Sequence, residues 1–145
     1  MGNNQHPIKK ILVGGVFDIL HYGHIHFLRE AKKLGDILVV ALESDKNVKR
    51  LKGDSRPFHS QAQRKEILES LSFVDEVITL KDEMKDVDYL ELVKKEQPLV
   101  IAITTGDFMK EKKKGHARVV GAKVVEIPKI KVASTTQIAK LLELE

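Results

Sequence analysis

The stretch G-V-F-D-I-L-H-Y-G-H, residues 15–24, decides the fold, because it joins a short apolar run to a segment with helical spacing. The run 11–13 before it is continuous and apolar, which is typical of a strand buried on both faces. The segment 25–33 after it has apolar residues at helical intervals, and Gly35 ends that helix. A second apolar run, 37–42, follows. Two such strands joined by a helix predict a parallel βαβ unit.

The rest of the chain continues this alternation of helices and strands without a repeat or a linker. Ser60 is a predicted N-cap, and Pro98 marks the break before a strand. The sequence therefore predicts an α/β fold: a Rossmann-like, doubly wound, parallel five-stranded sheet with helices on both faces and ligands at the carboxyl ends of the strands. The predicted strands are 11–13, 37–42, 76–80, 99–104 and 123–127, and the predicted helices are 25–33, 61–71, 87–95 and 135–142.

Length and composition limit the classes of protein that the chain can represent. Its 145 residues fit one domain, predicted as 9–145 after a flexible tail over 1–8. The net charge of +4 suits anionic small molecules, and the absence of cysteine excludes disulfides and thiolate metal sites. No apolar run approaches the roughly 20 residues of a membrane span, and residues 1–7 lack the apolar core of a signal peptide. We therefore expect a soluble, cytoplasmic protein without a membrane partner.

The opening stretch places two histidines and two glycines where a strand meets a helix. Backbone N–H groups at a helix start favour anions, and Gly23 allows a phosphate to approach the backbone. His21 and His24 are then candidate donors to phosphoryl oxygens. The alternative is that both histidines only cap or pack the helix. A metal site with His26 is the rival chemistry, but His26 lies off the helical face of His24 and no cysteine or nearby glutamate completes a tetrahedral set.

A second candidate element is the basic segment K-R-L-K-G-D-S-R-P, residues 49–57, followed by Gln63 and Arg64. It comes after the second strand, and we predict a loop that cradles phosphates. The alternative is a solvated basic loop, with Arg64 as an ordinary charge on a helix surface. The cations assigned to phosphate binding here are Lys49, Lys52, Arg56 and Arg64.

Further candidates follow the later strands. Ser134, Thr135 and Thr136 stand at a predicted helix start, where hydroxyl and N–H groups can bind phosphate oxygens. Gly106 and Asp107 follow the fourth strand and are candidates for nucleotide binding. The alternative is that they form a plain turn. The basic run 110–118 has no interleaved aromatic residue, so we predict a solvated helix face and no nucleic-acid partner.

The motifs together resemble the H-x-G-H signature of the cytidylyltransferase-like nucleotidyltransferase superfamily, over roughly residues 9–142. Residues 49–57 resemble the bacterial heptose-phosphate adenylyltransferases, and residues 59–78 are equally similar to glycerol-3-phosphate cytidylyltransferases. The chain departs from these relatives at three places: Ala133 replaces the usual Ile, Lys129-Ile130 replaces an Arg-Thr pair, and Thr105 stands where the heptose branch has Gly.

The resemblance implies transfer of a nucleotidyl group from a nucleoside triphosphate to a phosphorylated acceptor, with release of pyrophosphate. The first choice is ATP with a sugar phosphate such as heptose 1-phosphate. CTP with glycerol 3-phosphate, ATP with FMN as in FAD synthetases, and a nucleotide-binding regulatory protein are the alternatives. Homodimers are common in the family, and Mg²⁺ or another divalent cation is expected on the triphosphate, with Asp18 either a ligand of that ion or an organiser of the loop.

By this resemblance, four residues are catalytic, twelve bind the nucleotide and three are candidates for the acceptor phosphate. The catalytic set is His21, His24, Lys49 and Arg64. The nucleotide set is Gly15, Val16, Phe17, Asp18, His21, Gly23, His24, Gly106, Asp107, Ser134, Thr135 and Thr136. The acceptor set is Lys52, Arg56 and Lys129.

Overall fold

The computed structural model describes residues 7–131, together with 137, 140 and 141. Within these residues it has five strands in one parallel sheet, in the order β3-β2-β1-β4-β5. The strands are β1 Lys10–Gly15, β2 Ile37–Leu42, β3 Glu76–Thr79, β4 Val100–Thr104 and β5 Lys123–Ile127. The helices are α1 Tyr22–Lys32, α2 Asp45–Lys52, α3 Gln61–Glu69, α4 Asp86–Glu96 and α5 Lys110–Val120.

Apolar side chains cover both faces of this sheet, as the continuous apolar runs of its strands require. On one face, Leu28 of α1 and Leu68 of α3 belong to a core with Ile11 and Val13 of β1. On the other face, Val93 of α4 and Ala117 of α5 belong to a second core with Leu12. Alternate residues of β1 thus enter opposite cores, and the predicted doubly wound fold with helices on both faces is confirmed.

One helix was not predicted. The segment 49–57 was expected to be a loop, but its first residues belong to α2, which begins after Ser44 and ends at Gly53. The Ser44 side chain accepts a hydrogen bond from the Asn47 backbone N–H, and Gly53 leaves the helix with φ 103°. That positive φ favours glycine. The loop prediction was wrong because capping residues, rather than a long apolar stripe, define this short helix.

Helix α1 begins earlier than expected. The predicted start was residue 25, whereas the helix begins at Tyr22 with His21 as its N-cap. Both motif histidines therefore lie in the cap and first turn. Of the predicted closing helix 135–142, the structure describes only Gln137, Lys140 and Leu141, which are helical. In the described part of the chain, every helix is too short or too polar to cross a membrane.

The direction of winding reverses between β1 and β4, and the region beyond the carboxyl ends of these two strands is called the crevice below. The chain adds β2 and β3 on one side of β1, then crosses back to place β4 on the other side. Strands β1 and β2 pair over six positions, but β1 and β4 pair only at Ile11 with Val100 and Leu12 with Ile101. Beyond that point Gly14 of the central strand is exposed. Ligands of doubly wound sheets bind at such a switch point, beyond the carboxyl ends of the strands.

Two adjacent glycines of β1 give a test of the packing at this edge. A Cβ at Gly15 would lie 2.7 Å from Cε2 of Phe17, whereas a Cβ at Gly14 would meet only the Ala41 carbonyl oxygen, at 3.7 Å. Since Phe17 is buried, its ring has little room to move. We expect Gly15→Ala to lower the free energy of unfolding by about 1–3 kcal/mol. Urea unfolding checks this, with Gly14→Ala as the control that is expected to stay close to the parent protein.

Candidate functional site

The two histidines of the opening motif form a reciprocal cap at the start of α1. Nδ1 of His21 accepts a hydrogen bond from the Gly23 backbone N–H at 3.0 Å. Nδ1 of His24 accepts one from the His21 backbone N–H at 3.2 Å. The two rings lie 4.0 Å apart between centroids, and the Phe17 ring meets His24 edge-on at 5.5 Å. The capping that the sequence offered as an alternative to function is therefore present.

This capping fixes how the imidazoles can act on a ligand. A nitrogen that accepts an N–H hydrogen bond carries no proton of its own, so in the neutral ring the proton is on Nε2. Burial lowers the pKa of His24 to about 4, with smaller contributions from His21 and Lys52, and burial also lowers the pKa of His21. Both rings are consequently neutral near pH 7. Each presents one Nε2–H donor at the helix start, so capping and donation to an anion are compatible.

The loop between β1 and α1 has an unusual backbone. Phe17 has φ 47° and Ile19 has φ 29°, both in the left-handed region that bulky side chains rarely adopt. Such conformations cost of order 1–3 kcal/mol each and persist only where surrounding contacts hold them. The residue between them supplies those contacts.

Asp18 is that residue, and its side chain is 1% exposed. Its carboxylate accepts hydrogen bonds from Nε of Arg56 at 3.0 Å, from the Phe58 backbone N–H at 2.8 Å and from the His59 backbone N–H at 3.1 Å. Asp18 thus ties the β1–α1 loop to the segment before α3. Of the two roles that the sequence left open, the geometry matches the organiser of the loop rather than a ligand of a metal ion.

The two arginines assigned to phosphate binding are buried instead. Arg56 is 5% exposed and pairs with Asp18. The guanidinium of Arg64 donates to the Val16 carbonyl at 2.8 Å, to the His59 carbonyl at 3.0 Å and to Asp45 at 2.7 Å. Because Arg64 is 0% exposed, the alternative that it is an ordinary charge on a helix surface is wrong. In this structure both arginines brace the loops around the histidines, because their buried guanidinium groups donate to protein acceptors.

The lysines are placed differently. Lys49 and Lys52 are exposed on α2, and Lys52 is close enough to His24 to help lower the pKa of that ring. Lys129 is also exposed, but it follows β5, which is separated from β1 by β4. The structure therefore brings Lys52 to the histidines and leaves Lys129 at the far side of the crevice.

The loop after β4 forms the other wall of the crevice. Gly106 is exposed with φ 86°, so it occupies a turn that favours glycine. Asp107 accepts a hydrogen bond from the Met109 backbone N–H at 2.7 Å and pairs with Lys113 at 2.7 Å. Asp107 thus fixes the start of α5. Ser134, Thr135 and Thr136 lie outside the described residues.

Sequence reasoning missed a polar cluster beside this site, formed by Glu43, Asn47, Arg50 and Tyr89. Glu43 directly follows β2, and its backbone N–H donates to the Gly15 carbonyl at 3.1 Å. The available signal was an acidic residue, Glu43, at the carboxyl end of a buried strand. That signal does not reveal the cluster, because the partners of Glu43 lie on two different helices. As for a metal centre, the described residues contain no group of three or more His, Asp or Glu side chains that could hold an ion.

Comparisons with known proteins show the family and the fold. A family model described as cytidylyltransferase-like matches residues 12–140. FAD synthase of Thermococcus sibiricus is 42% identical over 135 residues, which are 89% of this chain and 88% of that protein. Bifunctional protein HldE of Campylobacter fetus is 40% identical over 128 residues, or 88% of this chain, but the chain spans only 26% of HldE. The crystal structure of a lipopolysaccharide core biosynthesis protein from Thermoplasma volcanium superposes with a TM-score of 0.69 at 30% identity, covering 87% of this chain and 99% of that one.

The buried Asp18 pair gives a stability test. Asp18→Asn removes the charge that balances Arg56, and leaving one partner of a buried ion pair unmatched costs about 3–5 kcal/mol. Urea unfolding measures the loss. Glu30→Gln is the matched control, because Glu30 pairs with Lys33 on the exposed side of α1, where ion pairs contribute little. A change in Asp18→Asn as small as that in Glu30→Gln would contradict the bracing role.

The lowered pKa of His24 gives a pH test. The unfolded chain binds a proton at His24 near pH 6.5, whereas the folded chain resists protonation down to about pH 4. The free energy of unfolding therefore falls as the pH is lowered through this window. His24→Asn should weaken that dependence, since the Asn carbonyl can accept the capping hydrogen bond without titrating. Urea midpoints at pH 4.5 and 7 measure this dependence, and an unchanged pH dependence in His24→Asn would contradict the assignment to His24.

Proposed function

The chain belongs to the cytidylyltransferase-like family, and on that premise we propose that it transfers an adenylyl group from ATP to a phosphorylated acceptor, in the first place a sugar phosphate such as heptose 1-phosphate. The observation that carries this proposal is the pair of neutral histidines at the start of the helix beside the switch point, since the Nε2–H of each has no hydrogen-bond partner among the described residues. Donors fixed before the reaction stabilise charge as it develops on phosphoryl oxygens.

In the proposed reaction, an anionic oxygen of the acceptor phosphate attacks the α-phosphorus of ATP. A new phosphorus–oxygen bond forms, and the bond between the α-phosphorus and the bridging oxygen to the β-phosphorus breaks, with the electron pair leaving on pyrophosphate. Protein nucleophiles are not required, so the task of the site is positioning and charge stabilisation. His21 and His24 donate to the α-phosphoryl oxygens, and Lys49 and Lys52 attract the phosphates.

The remaining candidate residues have supporting roles in this proposal. Arg64 and Arg56 are positioning residues, since their guanidinium groups are buried on protein acceptors. Gly106 lines the nucleotide side of the crevice, and Ser134 to Thr136 stay predicted phosphate ligands. We propose that Mg²⁺ or another divalent cation arrives with the triphosphate as part of the substrate, because Asp18 already accepts three hydrogen bonds.

A second candidate is adenylyl transfer to FMN. It is favoured by the likeness to FAD synthase, which extends over 88% of that protein's length, whereas HldE is matched over 26% of its length. The sequence of the basic segment favours the sugar phosphate. Glycerol 3-phosphate with CTP is the third candidate.

The discriminating experiment measures pyrophosphate release with ATP or CTP against heptose 1-phosphate, FMN and glycerol 3-phosphate. The proposal expects release with ATP and the sugar phosphate above every other pair. Faster release with FMN would select the second candidate, and release only with CTP would select the third. Calorimetric binding of ATP without release in any pair would identify a nucleotide-binding regulatory protein instead.

Two substitutions of His24 separate capping from catalysis. The Asn carbonyl can replace Nδ1 but cannot reach the position of Nε2, whereas the longer Gln amide can present an N–H near Nε2 but loses the cap. We expect His24→Asn to fold normally and to lose about a hundredfold or more in kcat, on the scale of one missing oxyanion donor. His24→Gln should be less stable but more active than His24→Asn. His26→Asn is the control, and a near-normal kcat in His24→Asn would remove this ring from the chemistry.

A further inference from the structure

A chain of hydrogen bonds links α4 to α2 beside the crevice. The Tyr89 hydroxyl donates to Oε1 of Glu43 at 2.8 Å, and Nδ2 of Asn47 donates to Oε2 of the same carboxylate at 2.5 Å. Oδ1 of Asn47 in turn accepts from Nε and Nη2 of Arg50 at 2.9 and 2.5 Å. Both oxygens of Glu43 and the carbonyl of Asn47 are thereby occupied, and the guanidinium of Arg50 is held in one orientation.

Glu43 and Tyr89 in this chain of hydrogen bonds are half-buried, and its two other members differ in exposure. Asn47 is 4% exposed, whereas Arg50 lies exposed on α2. Burial and the Glu43 carboxylate raise the pKa of Tyr89, which Arg50 partly offsets, so the hydroxyl stays protonated and keeps donating. The buried Asn47 and the half-buried Glu43 and Tyr89 thus support Arg50, which is the exposed group that a ligand can reach.

Arg50 differs from the other arginines around the site. Arg56 and Arg64 are buried and each pairs with a carboxylate. In the described part of the chain, no carboxylate lies within ion-pair distance of Arg50, and only two of its five N–H donors are used there. A planar guanidinium that is exposed, held in place and not neutralised is suited to phosphoryl oxygens.

We propose that Arg50 binds a phosphoryl group of a substrate, and that Tyr89, Glu43 and Asn47 are positioning residues that hold its guanidinium for that contact. This proposal rests on the proposed function for the identity of the anion. Glu43 connects these hydrogen bonds to the candidate site, because its backbone N–H donates to the Gly15 carbonyl at the end of β1. The phosphoryl group can come from ATP or from the acceptor, and the arms of the experiment separate these two sources.

The experiment is a double-mutant cycle on equilibrium binding, which needs no turnover. Calorimetry with ATP and, separately, with inorganic phosphate is carried out on the parent chain, Tyr89→Phe, Arg50→Ala and the double variant. We expect Arg50→Ala to weaken one of the two probes by about 10- to 100-fold, since a hydrogen bond to a charged group is lost. Tyr89→Phe should weaken the same probe by roughly 3- to 10-fold, and should have no further effect once Arg50 is absent.

The probe that weakens identifies the source: ATP for the nucleotide phosphates, inorganic phosphate for the acceptor subsite. Glu43→Gln should act like Tyr89→Phe. Glu91→Gln is the matched control for Glu43→Gln. It changes the net charge by the same amount, but on α4 it removes only an exposed pair with Lys94. Additive effects of Tyr89→Phe and Arg50→Ala would overturn the positioning role, as would a parent chain that binds neither probe. If the four affinities show the expected coupling but no pyrophosphate is released, the proposed function is refuted and this inference stands.

A spectroscopic measurement tests the first link directly. The chain has two tyrosines and no tryptophan, so in Tyr22→Phe the tyrosinate absorbance belongs to Tyr89 alone. We expect little tyrosinate absorbance from Tyr22→Phe at pH 10 to 11. In Tyr22→Phe/Glu43→Gln, we expect Tyr89 to ionise closer to the ordinary pKa of about 10. Ordinary ionisation of Tyr89 in Tyr22→Phe would overturn the link.

Discussion

The carboxylate of Asp18 is the interaction on which the site depends. It lies between two residues with left-handed backbone, Phe17 and Ile19, and it accepts three hydrogen bonds from the segment 56–59. Hydrogen bonds that involve a charged group contribute about 1.5–3 kcal/mol each, which is the order of the cost of the unusual backbone. The loop can therefore keep a conformation that its own side chains disfavour, because a segment about 40 positions away holds it there.

That conformation determines how the histidines are presented. With the Phe17 ring packed over Gly15 and against His24, the chain enters α1 so that each imidazole caps the helix through Nδ1 and keeps Nε2–H available. Neutral rings suit this arrangement, since protonation of Nδ1 would break the cap. The positive charge of this site comes instead from exposed lysines on α2, among which Lys52 itself helps to keep His24 neutral. In the proposed reaction, different groups therefore attract the substrate and donate to the reacting phosphoryl group.

The sequence predicted those features that depend on neighbours along the chain. All five strands were predicted, three of them from continuous apolar runs, and Ser60 was predicted correctly as the N-cap of α3. Helix α1 ends at Lys32, three residues before the predicted stop at Gly35. Helix α2 was missed because Val48 is its one buried apolar residue, which leaves no periodic stripe to detect. Arg56 and Arg64 were assigned to phosphate binding, and their burial was missed because their acceptors, Asp18 and Val16, lie 38 and 48 positions away. Local composition cannot distinguish an arginine that meets a ligand from one that braces a loop.

The same distinction bears on which cations can discriminate between substrates. Exposed lysines such as Lys49 and Lys52 attract any phosphate, since an ammonium group is a mobile point charge on a flexible stem. Discrimination requires a donor whose direction is fixed before the ligand arrives, because a misplaced acceptor then leaves that donor unsatisfied. Among the cations of α2, Arg50 has this property: its guanidinium is anchored on buried Asn47, and Asn47 on a carboxylate that Tyr89 also holds. The physical basis for selectivity on this side of the crevice is therefore the coupling of α2 to α4, rather than the number of positive charges.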